Sequence, residues 1–236
     1  MSELKPTSEY ADKWKDNKFY DSLVSLGTEY PNIWELRRDG NCFYWALLWQ
    51  MWEHYLQNFT DETVKADFDR VGEVIKNSKS DLMTQGYDEI AIEDFYNCFY
   101  DEFKWIEEVA PQGAEKHQEL LQKLFCTEDW GPYMIMYARF MTGFYLKQNA
   151  IIYEAFLVEF PDMNTFVTKE VEPVNHEAEQ MHIIGFTNYL GIQVKVNQVT
   201  DSGVIQPALI PEENPAGRFC ADLLFIPGHY EALSKQ

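Results

Sequence analysis

From Phe43 to Phe59 the residues follow a helical period and are apolar nearly all round. A helix of that kind has no solvent face. It must run through the centre of a domain, and the rest of the chain must surround it. Gln50 and Glu53 interrupt its apolar run, so no stretch reaches the ~18 apolar residues of a membrane span. A turn-forming cluster, Arg37-Arg38-Asp39-Gly40-Asn41-Cys42, opens the helix.

Around this segment the chain reads as further helices. Ser8–Leu26 suits one amphipathic helix stopped by Pro31. Val64–Lys76, Glu89–Glu108, Glu115–Phe125, Tyr133–Lys147 and Ala150–Phe160 follow, separated by Gly86-Tyr87-Asp88, Pro111-Gln112-Gly113 and Gly131-Pro132. Thr168–Pro173 reads as a short extended piece. His182–Leu190 is a last helix, with Gly191 where a left-handed cap belongs. Only then do strands come. Ile192–Val196 alternates, 201–217 reads as a long loop, Asp222–Ile226 is nearly all apolar and hence interior, and a third short strand follows Pro227-Gly228. Helices first and a small sheet late describe an α+β fold in one domain over residues 1–236, with 1–34 as a helical N-terminal extension.

Charge narrows the partners. Lys and Arg number 19 against 39 Asp and Glu, a formal net charge of −20. Such a surface repels phosphate backbones and anionic lipid, which argues against nucleic acid and membrane and favours a basic protein or peptide tail. The opening residues hold no apolar signal-peptide core. Together these features point to a monomer in the cytoplasm, with the nucleus also open. Four cysteines are too sparse for a disulfide framework, and no two have zinc-knuckle spacing. No metal site and no phosphate-binding glycine loop are expected, and no cofactor. Cys98, Cys126 and Cys220 read as packing residues.

Cys42 sits where a helix begins. The positive end of the helix dipole and its unpaired N–H groups favour a thiolate there and can hold an oxyanion. A buried structural cysteine after a turn fits the same position. His229 follows Pro-Gly at the end of an apolar strand, and Glu231, two residues on, shares its face in an extended chain. That spacing supplies the base and orienter of a cysteine triad, and equally a surface His-x-Glu pair. Of the other histidines, His54 lies about three turns along the helix from Cys42. His117 and His176 are in polar stretches, and His182 suits a capping or core role.

At these residues a resemblance becomes specific. Asp39-Gly40-Asn41-Cys42-Phe43-Tyr44-x-Ala46 resembles the catalytic cysteine box of the ovarian-tumour (OTU) cysteine proteases, in their otubain branch. Phe225-Ile226-Pro227-Gly228-His229-Tyr230-Glu231 is similar to that branch's histidine box. Glu170–Pro173 followed by His182-Ile183, and Gly86-Tyr87 before the aromatic run Phe95–Tyr100, are otubain-like too. The resemblance implies a papain-like fold and a deubiquitinase cutting isopeptide bonds at the ubiquitin C-terminus. By position, Cys42 is the nucleophile, His229 the base and Glu231 the orienter. Asp39 joins the site, and the loop with Gly40 and Asn41 offers its backbone to the oxyanion. Implied partners are ubiquitin and polyubiquitin, with ubiquitin-conjugating enzymes beside them. A non-catalytic ubiquitin-binding or conjugating-enzyme-binding regulator and a hydrolase of another ubiquitin-like modifier stay open. Two residues depart from the pattern: Glu231 where otubains carry Asp, and Trp45 where they carry Arg. The extra methylene of Glu231 displaces its carboxylate by ~1.5 Å.

Overall fold

The computed structural model describes residues 4–126, 130–200 and 202–235. In chain order the elements are β1 (Leu4–Pro6), α1 (Thr7–Asp12), α2 (Tyr20–Leu26), β2 (Asn32–Trp34), α3 (Cys42–Asn58), α4 (Glu62–Thr84), α5 (Glu89–Val109), α6 (Ala114–Cys126) and α7 (Gly131–Gln148). Two single-turn helices, α8 (Ala150–Tyr153) and α9 (Met163–Phe166), lead to α10 (Gln180–Leu190) and to strands β3 (Gln193–Val199), β4 (Ile205–Ile210), β5 (Cys220–Ile226) and β6 (His229–Ser234). This is the expected α+β architecture.

Helix α3 is the axis. Thirteen of its residues, from Cys42 to Leu56, are buried. It packs against β5 and β6 on one side and against α4, α5, α6 and α7 on the others. Its aromatic side chains meet edge to face, Trp52 with Phe99, Phe103 and Phe125. Gln50, the polar interruption in its apolar run, is a tie. Its Nε2 donates to Asp222 O (2.7 Å) on β5 and Leu233 O (2.8 Å) on β6, and its Oε1 accepts from Asp222 N (2.8 Å). Because α3 begins at Cys42 and β6 at His229, these bonds fix the two chain regions in register.

The sheet runs β1-β2-β6-β5-β3-β4, antiparallel except for β3 against β5. Helices cover both faces. Leu223 and Tyr230 join the main core around α3, while Leu224 and Leu233 join Tyr10, Leu23 and Leu26 on the opposite face. Successive strand residues point to opposite sides, so a strand buried on both must be apolar along its buried stretch, as Leu223–Ile226 is.

Four local expectations are corrected. Ser8–Leu26 is not one helix but α1 and α2, joined by turns over residues 13–19. The N-terminal segment is not purely helical, since β1 and β2 extend the sheet beside β6. Thr168–Pro173 is not extended: Val167–Val171 forms one π-helical turn, with Val167 and Val171 buried. The long loop 201–217 contains β4, an edge strand that tolerates Pro207 because its far side needs no ladder bond. The left-handed cap at Gly191 is present.

Candidate active site

Two elements deliver the expected pair. Strands β5 and β6 form a hairpin in which Ile226 faces His229 across Pro227-Gly228. Gly228 takes a φ of 82°, the positive value a proline-glycine turn needs at its second central residue. His229 therefore starts β6 at the level where α3 starts, and the N–H of the next residue, Tyr230, donates to Cys42 Sγ at 3.4 Å. Cys42 and His229 are buried, 2% and 1% exposed.

Glu231 is buried beside them, with Oε1 3.2 Å from His229 Nε2. Oε1 also accepts from the Tyr10 hydroxyl (3.1 Å), and Oε2 accepts from Leu36 N (2.6 Å). Among the described residues neither imidazole nitrogen makes a well-aligned hydrogen bond, so the contact with Glu231 is an ion pair. Burial pulls the His229 pKa down, but the thiol of Cys42 and the carboxylate of Glu231 outweigh it and push the imidazole up to about 9. The structure brings Cys42, His229 and Glu231 together, and the longer side chain still reaches the ring.

Asp39 acts differently from the residue the cysteine box suggests. Its Oδ1 accepts from Asn41 N (2.9 Å) and its Oδ2 from Trp45 Nε1 (3.0 Å). Both oxygens are taken up in bracing the turn. Trp45, the second departure from the otubain pattern, is thereby tied to the loop. The Asn41 N–H is occupied by Asp39 and is not available to an oxyanion. Among the described residues the N–H groups of Gly40 and Cys42 donate to no protein acceptor. Gly40 has a φ of 77°, and a Cβ there would collide with the backbone of Asn175, so only glycine fits.

Arg139 on α7 escaped the sequence reading. It is fully buried. Nε donates to Asn41 Oδ1 (3.2 Å), Nη1 to Val171 O (2.9 Å), and Nη2 to Gly40 O (3.2 Å), Asn41 Oδ1 (2.8 Å) and His176 O (2.6 Å). Its guanidinium lies 4.8 Å from the Tyr44 ring centroid. A single cation midway through an otherwise apolar helix was the available signal.

Other expectations resolve as follows. Cys98 is buried, while Cys126 and Cys220 are exposed rather than packed inside. His182 caps α10, accepting from Glu179 N at 3.1 Å, and burial drives its pKa down to about 4, so it is neutral. His54 packs on Phe219. Among the described residues no His, Cys, Asp and Glu cluster could hold a metal.

With the geometry in place, the comparisons are decisive. The family model described as Peptidase C65 Otubain matches residues 2–235. This chain is an otubain. Human "Ubiquitin thioesterase OTUB1" is 31% identical over 229 residues, covering 96% of this chain and 78% of the human protein. An Arabidopsis thaliana relative, "OVARIAN TUMOR DOMAIN-containing deubiquitinating enzyme 1", is 25% identical and covers 99% of this chain and 80% of its own length. Among solved structures, "The structure of a ceOTUB1 ubiquitin aldehyde UBC13~Ub complex" superposes with a TM-score of 0.85 at 23% identity, over 100% of this chain and 93% of that one. At that identity the likeness establishes the OTU fold.

Proposed function

We propose that this otubain is a cysteine-type deubiquitinase in which Cys42, His229 and Glu231 perform the chemistry. The carrying observation is the buried His229–Glu231 ion pair at the start of β6, beside the thiol at the start of α3. The Cys42 thiolate attacks the carbonyl carbon of the ubiquitin C-terminal glycine. Its oxygen becomes an oxyanion at the N–H groups of Cys42 and Gly40. Collapse breaks the C–N bond, and the His229 imidazolium protonates the departing lysine amine. The neutral imidazole then takes a proton from water, which attacks the thioester and releases the thiol. Glu231 holds the ring and balances its charge through both steps.

The surface near the site suits this substrate. A groove of about 390 Å³ is lined by Phe156, Phe166, Glu170, Glu177 and Glu179. Glu177 and Glu179 also act electrostatically on Tyr230, the neighbour of His229. An acidic groove whose Glu177 and Glu179 are within electrostatic reach of Tyr230 fits the arginine-bearing ubiquitin tail. Ile151, Phe156 and Val158, 93%, 70% and 95% exposed, offer apolar surface for a protein partner. Relatives have been solved with UBC13~Ub and UBCH5B~Ub, and we assign conjugating enzymes charged with ubiquitin as the second partner class. A nucleophilic free thiol works in a reducing compartment, and we place the protein in the cytoplasm. No described helix is long and apolar enough to cross a membrane.

A panel of C-terminal electrophile probes built on ubiquitin and its relatives tests the reading. The ubiquitin probe should capture the parent protein and leave Cys42→Ala unmodified. Preferential capture by another modifier replaces the substrate. Capture of Cys42→Ala removes the nucleophile.

A further inference from the structure

We propose that Arg139 is a positioning residue for the oxyanion loop: its guanidinium holds the Gly40–Asn41 peptide and the Asn41 side chain so that the loop stays open to the oxyanion. This rests on the reading of Cys42 as an acyl nucleophile. The peptide between Gly40 and Asn41 is planar, and both its polar ends are held. Arg139 Nη2 takes Gly40 O, and Asp39 Oδ1 takes Asn41 N. Neither end can rotate without breaking a bond on the other. The following peptide is set by the helix, since Asn41 O accepts from Trp45 N at 3.0 Å. Cys42 N–H therefore points away from the helix, opposite to Asn41 O.

The same guanidinium binds the far wall. Val171 O and His176 O accept from Nη1 and Nη2. Between them Asn175, with a φ of 67°, exchanges two bonds with Asn41: its N–H donates to Asn41 Oδ1 (3.1 Å), and Asn41 Nδ2 donates to its Oδ1 (2.9 Å). Arg139 thus staples the loop before Cys42 to the segment 171–176. Among the described residues all its acceptors are carbonyl or amide oxygens. A buried cation hydrogen-bonded to no carboxylate is costly to retain as mere packing. Next to a loop where negative charge develops, its field and its rigid fork both favour the transition state.

The test separates reactions that form an oxyanion from one that does not. In the full chain, Arg139→Lys keeps the charge and loses the fork. Hydrolysis of a fluorogenic ubiquitin C-terminal amide should lose about 10–100-fold in kcat, with KM within about threefold, the pattern of a displaced oxyanion donor. Alkylation of Cys42 by iodoacetamide passes through no oxyanion, and its rate should stay within about threefold of the parent. Equal losses in both reactions mark Arg139 as structural only and overturn the proposal, as does no loss in either.

Should Arg139→Lys fail to fold, Arg139→Gln carries the same test. The neutral amide leaves no buried charge behind and removes the fork that joins Gly40 O and Asn41 Oδ1 to Val171 O and His176 O. A severalfold fall in kcat with unchanged alkylation is expected, and an unchanged kcat overturns the proposal. A parent protein with no turnover on ubiquitin substrates defeats the functional reading instead. The loop is then read with acetylglycinal. The thiol adds across its aldehyde, forming an S–C bond and passing its proton to the oxygen. Protection of Cys42 from alkylation should weaken about tenfold in either variant, and equal protection in parent and variant overturns the proposal.

Discussion

The Tyr10 hydroxyl donates to Glu231 Oε1 at 3.1 Å, so a helical turn at the start of the chain closes on the carboxylate paired with His229 near its end. Burial and the Glu231 charge both raise the Tyr10 pKa, so the hydroxyl stays a donor throughout the working pH range. With Leu36 N on the other oxygen, the carboxylate has a fixed plane. Aspartate is shorter than this cradle. The extra methylene of Glu231 lets one side chain reach Leu36, Tyr10 and the imidazole together.

Tyr10→Phe removes that bond and little volume. Turnover should fall about 3–10-fold with KM unchanged, since the loss is felt when the imidazole charge is rebalanced. Denaturant unfolding should show a loss of about 1–2 kcal/mol. Kinetics matching the parent would free the N-terminal segment from any part in the site.

Tyr10 also shows where the sequence stopped being legible. The central helix and the β5–β6 hairpin were readable because burial writes itself as unbroken apolar runs and a Pro-Gly turn has one geometry. Three-residue strands such as Leu4–Pro6 and Asn32–Trp34 carry no alternation to detect, and their place beside β6 is set by tertiary packing. Pro207 made an edge strand look like loop. Val and Thr around residue 168 favour extended backbone, yet burying Phe166, Val167 and Val171 against Leu146 imposes a helical turn there. The Cys, His and Glu positions were legible because two boxes near opposite ends of the chain resemble the otubain pattern; locally each position fits a structural reading as well. The partners of Glu231 and of Asn41 lie 195 to 221 and 98 to 134 residues away, beyond any local pattern.

The imidazole makes a second prediction. Its pKa near 9 lies above the ordinary histidine value, so the native state gains from a charged ring. That stabilisation is fully present below about pH 6.5 and is lost as pH rises through about 9. The alkaline limb of the pH profile of kcat/KM should fall near the same value. Glu231→Gln removes a raising influence, so the limb should move to lower pH and kcat should drop. The drop should be smaller than for His229→Ala, because a thiolate needs less help than an alkoxide. A limb unmoved in Glu231→Gln would take Glu231 out of the mechanism and leave a Cys42–His229 dyad.

Thiol chemistry gives a third. Burial pushes the Cys98 thiol up to about 12, which leaves it inert at neutral pH. Burial and the Asp222 charge push the Cys220 thiol up to about 11, which leaves the exposed Cys126 as the main competitor. At pH 6 a charged imidazolium faces Cys42 alone. Limited iodoacetamide labelling at that pH, followed by peptide mapping, should find Cys42 modified first. First labelling at Cys126 or Cys220 would contradict the assignment of the nucleophile, and His229→Ala should abolish the preference.

Gln50 supplies the fourth. It lies two turns beyond Cys42 on α3, where its amide bonds β5 and β6 at once. Gln50→Met keeps the length and the helix propensity of the residue but leaves the Asp222 N–H and two strand carbonyls without these partners. Stranded buried polar groups cost about 1–3 kcal/mol each when water cannot reach them. Gln50 is mid-helix and 9% exposed, and the water that reaches it lowers the total, so a loss of about 2–4 kcal/mol is expected in denaturant unfolding. The kinetic consequence is more telling. Without the tie, α3 can slide against β6, and a shift of about 1 Å between nucleophile and base costs on the order of 100-fold in turnover. Gln50 is buried and does not line the acidic groove proposed for the substrate, so binding of ubiquitin should hold. Gln50→Glu, which keeps the accepting oxygen but sets a second oxygen in place of the donor facing two carbonyls, should do no better than Met. Turnover within twofold of the parent in Gln50→Met, despite the stability loss, would mean that the hairpin holds its register by strand pairing alone.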